Sequence, residues 1–146
     1  MTLRDWLKNG WLSEHVTSHE EIANLLGLCD RDLQDCRTVG LSSDWRFSIA
    51  YNAALQAATA ALAASGYRAA REAHHYRVLQ SLTFTINAQP ALVRRLDAFR
   101  KKRNIGGYES AGAISDQEAE EMTGLAAKLR ELVEREIRTT RPELLS

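Results

Sequence analysis

Proline and glycine are scarce: this chain of 146 residues contains two prolines and eight glycines. So little turn punctuation excludes a collagen-like fibre and a Gly/Ser linker, and it favours long uninterrupted helices. Cysteine is as rare. Cys29 and Cys36 stand seven positions apart in one helical stretch, which separates their backbones by roughly 10 Å along the axis, too far for a disulfide. Both read as small core residues of a reduced protein. Neither sign of charge prevails, because 19 basic residues balance 19 acidic ones. A nucleic-acid site would have to come from local clustering rather than from an overall polycation. No segment approaches the roughly 20 apolar residues of a membrane span, and the most apolar one, 49–64, is mostly alanine. The opening MTLRDWLKNG carries frequent charges and no apolar stretch of signal-peptide length. The expectation is a cytoplasmic protein without a membrane segment.

What the chain has in abundance is alanine, at 21 residues, together with 15 arginines against 4 lysines. Alanine is the best helix former, so an all-α fold is expected in one domain covering 1–146. Leu3, Trp6 and Leu7 form a short amphipathic helix that Asn9-Gly10 stops. Ser18-His19-Glu20-Glu21 reads as a capping box opening a helix with Ile22, Leu25, Leu26, Cys29, Leu33 and Cys36 at helical spacing. After the break at Gly40 and Ser42-Ser43-Asp44, a helix from Trp45 to Ser65 holds nine alanines between positions 50 and 64. Small side chains on several faces mark it as the central element. A further helix is predicted over 70–82. Thr83 to Ile86 alternates like a strand but is too short to make a sheet. Pro90 begins a helix that runs to about Asn104 and breaks at Gly106-Gly107. A second capping box, Ser115 to Glu118, opens the last helix, and Pro142 marks its end. The predicted architecture is an up-and-down bundle of four to five main helices with a short N-terminal one.

The segment with chemical content is Ala91 to Glu109. Six basic residues and one acid, Asp97, lie between positions 94 and 103. Most of that run is a solvated face. Arg103 is different, because at about 100° per residue it falls in line with Leu92, Leu96 and Phe99. A guanidinium there must reach a carboxylate, a backbone carbonyl, or a cleft at the end of the bundle. Asn104, a glycine pair and Tyr108 follow it, and an arginine beside an amide and a phenol could hold a phosphate. His74 and His75 adjoin, and His75 shares a face with Val78 and Leu79. Either both are packed or hydrogen-bonded residues, or one supplies an imidazole. No carboxylate or cysteine stands at ligand spacing beside them, and no phosphate loop or nucleophile elbow is present. No metal or cofactor is therefore expected. His15 and His19 are expected at the surface, and Asp44 in a structural role at the start of the central helix.

Residues 44–68, DWRFSIAYNAALQAATAALAASGYR, resemble the central helix of the HEPN superfamily (higher eukaryotes and prokaryotes nucleotide-binding domain). Residues 73–82, AHHYRVLQSL, are similar to its histidine-bearing helix. Residues 100–109, RKKRNIGGYE, stand where that superfamily carries its signature. The resemblance spans roughly 20–138 and rests on the order of these three segments.

The resemblance implies a helical bundle that forms a homodimer, with signature arginines lining the cleft between subunits. It also implies RNA or a nucleotide as ligand, metal-independent ribonuclease activity of the toxin–antitoxin or defence type, and a minimal nucleotidyltransferase as antitoxin partner. The signature is an arginine, a polar residue and, after a spacer, a histidine. Arg103 matches the arginine and Asn104 the polar residue, whereas Tyr108 stands in the histidine position. A phenol with a pKa of about 10 is a poor general base at neutral pH. The imidazole would then come from His74, His75 or the partner subunit, while Tyr108 is the candidate for nucleotidylation. The alternative is a non-catalytic helical module that binds a nucleotide or a nucleotidyltransferase partner.

Overall fold

The computed structural model describes residues 1–105 and 113–146, with Asn104 and Ile105 described by their backbone alone. The chain is predominantly helical, as its composition predicts. Its helices are α1 (Leu3–Lys8), α2 (His19–Asp35), α3 (Ser43–Ala64), α4 (His74–Gln80), α5 (Leu82–Thr85), α6 (Pro90–Ile105) and α7 (Asp116–Thr140). A 3-10 turn over Pro142–Leu144 follows α7.

The central element is α3. All nine of its alanines are buried, as are Phe47, Tyr51 and Leu62. With no bulky side chains on most of its surface, α2 and α7 pack closely against it from two sides. Ile22, Leu26, Cys29 and Leu33 face it from α2, and Ala119, Met122, Ala126, Leu129, Val133 and Ile137 from α7. Phe47 on α3 meets Phe99 on α6 edge to face, with ring centroids 5.2 Å apart. Both cysteines are buried free thiols, and burial pushes the Cys29 thiol up to about 12.

Caps set the helix limits. Ser42 accepts a hydrogen bond from Trp45 N, so α3 begins two residues before Trp45. Ser115 and Glu118 form the expected capping box of α7. Thr2 and Asp5 form another at α1, which the sequence reading passed over. Ser18 caps α2, but the Glu21 carboxylate turns to Thr17 and His15 instead of closing the box. Asp44 accepts from Ile114 N at 3.4 Å and so ties the start of α3 to the chain entering α7.

The segment after α3 departs from the expected helix over 70–82. Gly66, at φ +96°, turns the chain back, and strand β2 (Tyr67–Ala69) pairs antiparallel with β1 (Leu12–Glu14). Leu12 opposes Ala69, and both are buried. Helix α4 begins only at His74, after Ala73 adopts a left-handed φ of 53°. Of the strand-like segment 83–86, Thr83 to Thr85 lie in helix α5 instead, and Ile86 is its C-cap. Among the described residues, no helix is long and apolar enough to cross a membrane.

Candidate functional site

The C-terminal half of α6 crosses α4 beside α3. Most of its basic run is paired. Arg95 binds Glu121, Arg100 and Lys101 bind Asp97, and Lys102 binds Glu118.

Arg103 is treated differently. Arg46, Arg77, Arg100, Arg103 and Arg130 are the half-buried arginines. Arg46, Arg100 and Arg130 each meet a carboxylate. The Arg103 guanidinium carbon instead lies 4.9 Å from the centroid of the Tyr51 ring, and its Nη2 is 3.5 Å from Asn52 Oδ1. Among the described residues, no acidic side chain neutralises it. A guanidinium on an aromatic face keeps its in-plane N–H donors available.

Tyr51 connects this arginine to α4. It is fully buried, and its hydroxyl lies 3.5 Å from His75 Nδ1. Burial pushes the phenol up to about 12, so it stays protonated at neutral pH. His75 is half-buried, and burial first, then the neighbouring Arg103, His74 and Arg100 charges, hold its pKa below the usual 6.5. It is neutral at pH 7. His74 places Nδ1 3.2 Å from the Ala70 carbonyl oxygen. A carbonyl can only accept, so Nδ1–H donates to it. The two imidazoles are 6.1 Å apart by centroid.

The structure thus places Arg103 and His75 against one buried phenol, with His74 beside His75. The Asn104 side chain and Tyr108 lie outside the described residues. His19 is exposed, as expected, with Nδ1 2.9 Å from the Leu144 carbonyl oxygen. His15 is partly buried, contrary to its expected surface place, because Glu21 holds its Nε2 at 2.7 Å. Among the described residues, no group of three His, Cys, Asp or Glu side chains could hold a metal ion.

Tyr51 and Asn52 were not singled out from the sequence as site residues. Their only signal is a phenol and an amide side by side in a helix otherwise given over to alanine. An uncharged base and a polarising cation can together handle a phosphodiester. No family model, curated protein or solved structure matches this chain.

Proposed function

We propose that this chain is a HEPN-like RNA-binding protein that cleaves RNA without a metal, as the toxin-type half of a two-gene toxin–antitoxin or defence system. The observation that carries this reading is Arg103, half-buried on Tyr51 with no carboxylate partner among the described residues and one phenol away from a neutral His75. The ribose 2′-hydroxyl attacks the adjacent phosphorus, giving up its proton to His74 or His75. Arg103 stabilises the charge that builds on the phosphoryl oxygens, and Asn104 positions the phosphate. The bond to the 5′-oxygen breaks, that oxygen takes a proton from water or the second histidine, and a cyclic phosphate remains. A homodimer brings two Arg103 residues to one cleft.

The test is cleavage of RNA by protein treated with EDTA. Wild type produces cyclic phosphate ends, and Arg103→Ala lowers the rate by roughly 100-fold or more, the scale of one lost transition-state charge contact. Intact RNA with wild-type protein overturns the nuclease reading.

Tyr108 in the histidine position favours a second reading. The chain would then be a non-catalytic module for a nucleotide or a nucleotidyltransferase partner, with Tyr108 as the residue that receives the nucleotide. In that case Arg103→Ala weakens binding, and no RNA is cut.

A further inference from the structure

Arg77 is also half-buried and, among the described residues, has no acidic partner. Its guanidinium carbon lies over the Trp11 ring, 3.7 Å from the ring centroid. Trp6 backs this pair, edge-on to Trp11 at 5.9 Å, and the Trp6 ring centroid is 5.5 Å from the same guanidinium carbon. Tyr76 completes the surround at 5.4 Å, and Arg100 from α6 reaches the same Tyr76 ring at 5.3 Å. Among the described residues, no acceptor takes a hydrogen bond from the Arg77 guanidinium. Withdrawing such a group partly from water is costly unless something binds it. Pairing with a surface acid would have been the ordinary solution, and the chain uses it elsewhere, as at Arg46, Arg95 and Arg130.

The position of this cluster matters as much as its chemistry. His75, Tyr76 and Arg77 are consecutive on α4. His75 touches the Tyr51 that carries Arg103, Tyr76 touches Arg100, and Arg77 rests on Trp11. Helix α4 therefore carries a row of aromatic rings and cations from the Tyr51–Arg103 pair to Trp11. A planar guanidinium pressed on an indole is rigid and can stack a nucleobase as an aromatic ring does. Bases within a duplex are already stacked and cannot use such a surface.

We infer that Trp11, Tyr76 and Arg77 form a second subsite, which holds an unpaired nucleobase flanking the phosphate at Arg103. The inference rests on the RNA reading above and narrows it to single-stranded RNA. Arg77 supplies the stacking plane, Trp11 fixes that plane, and the free N–H edge meets the oxygens of the same nucleotide.

Binding is measured by fluorescence anisotropy with a labelled hexauridine whose 2′-oxygens are methylated to block cleavage. An abasic backbone of equal length is the comparison. Wild type binds the hexauridine about 10-fold more tightly than the abasic strand, within the range of one stacked base. Arg77→Ala and Arg77→Lys both abolish that preference. Lysine keeps the charge and the aliphatic stem, so this variant decides the matter if alanine unfolds the protein. Arg103→Ala weakens both ligands alike. Equal binding of the two strands by wild type overturns the subsite and leaves the RNA reading standing. So does a preference that survives in Arg77→Lys. If neither strand binds, the RNA reading falls and the subsite falls with it.

Discussion

Arg103 of α6 lies over the ring of Tyr51 of α3, with 4.9 Å from guanidinium carbon to ring centroid. The contact explains how a cation can stay in line with Leu96 and Phe99, both fully buried, with no acid among the described residues to neutralise it. A partly desolvated guanidinium on an aromatic face gains about 1–2 kcal/mol. Because the Tyr51 phenol is pushed up to about 12, it is not converted to a phenolate that would bind the arginine as an ion pair. The arginine therefore retains its full charge for a ligand.

The ring of Tyr51, more than its hydroxyl, should be what the site needs. Tyr51→Phe keeps the face under Arg103 and is expected to hold RNA affinity within about 3-fold. Tyr51→Leu removes the face and should weaken it by ~10-fold, from the loss of about 1–2 kcal/mol of cation–π contact. Equal loss in the two variants would mean that the hydroxyl, through His75, is the important group. Melting curves on both proteins separate this from unfolding.

His75 predicts an acid sensitivity in a defined window. Its folded-state pKa lies below 6.5, so the unfolded chain binds the extra proton more readily. The stability contribution is complete above 6.5 and is lost as pH falls below that value toward the folded pKa. Glu21, Glu118 and Glu121 are also lowered, but from 4.5, and they act in a more acidic window. Urea unfolding at about pH 7.5 and about pH 5 should therefore show a drop for wild type. The drop should shrink in His75→Gln. An unchanged drop in that variant would place the sensitive group elsewhere.

Much of the bundle was legible because its signals are local. Ser42, Ser115, Pro90 and the alanines of α3 each act within a turn or two of helix, so their placement follows from spacing. The β1–β2 pair was not legible, because Leu12 and Ala69 find each other only after α2 and α3 have brought their ends together. Arg103 could be marked from the sequence by its position on the apolar stripe. Its seat could not, since Tyr51 is 52 positions earlier and looks like any other core aromatic. Arg77 on Trp11 was hidden for the same reason, a contact between α4 and the distant residue that precedes β1.

The α7 capping box gives a stability prediction that is independent of the site. Ser115 accepts from Glu118 N at 3.0 Å, and the Glu118 carboxylate returns to Ser115 N at 3.1 Å while also pairing with Lys102. Ser115→Ala should destabilise the protein by about 1 kcal/mol. Denaturant midpoints measure this, with an unchanged slope expected. A loss below roughly 0.3 kcal/mol would show that Glu118 sustains the helix start without its serine.

The alanines of α3 give the sharpest test of the packing argument. Ala57 is fully buried in the helix that α2 and α7 both pack against. Leucine is nearly as good a helix former as alanine, so Ala57→Leu leaves propensity almost unchanged. It adds three carbons where neighbouring backbones approach closely, and overpacking of this kind costs about 1–3 kcal/mol. Ala91→Leu, on the exposed face of the first turn of α6, makes the same chemical change without the crowding. It should stay within about 0.5 kcal/mol of wild type. Thermal or urea unfolding of the two variants separates packing from propensity. Equal stability of both would mean that the bundle has room at α3, and that its alanines are there for helix formation rather than for close approach.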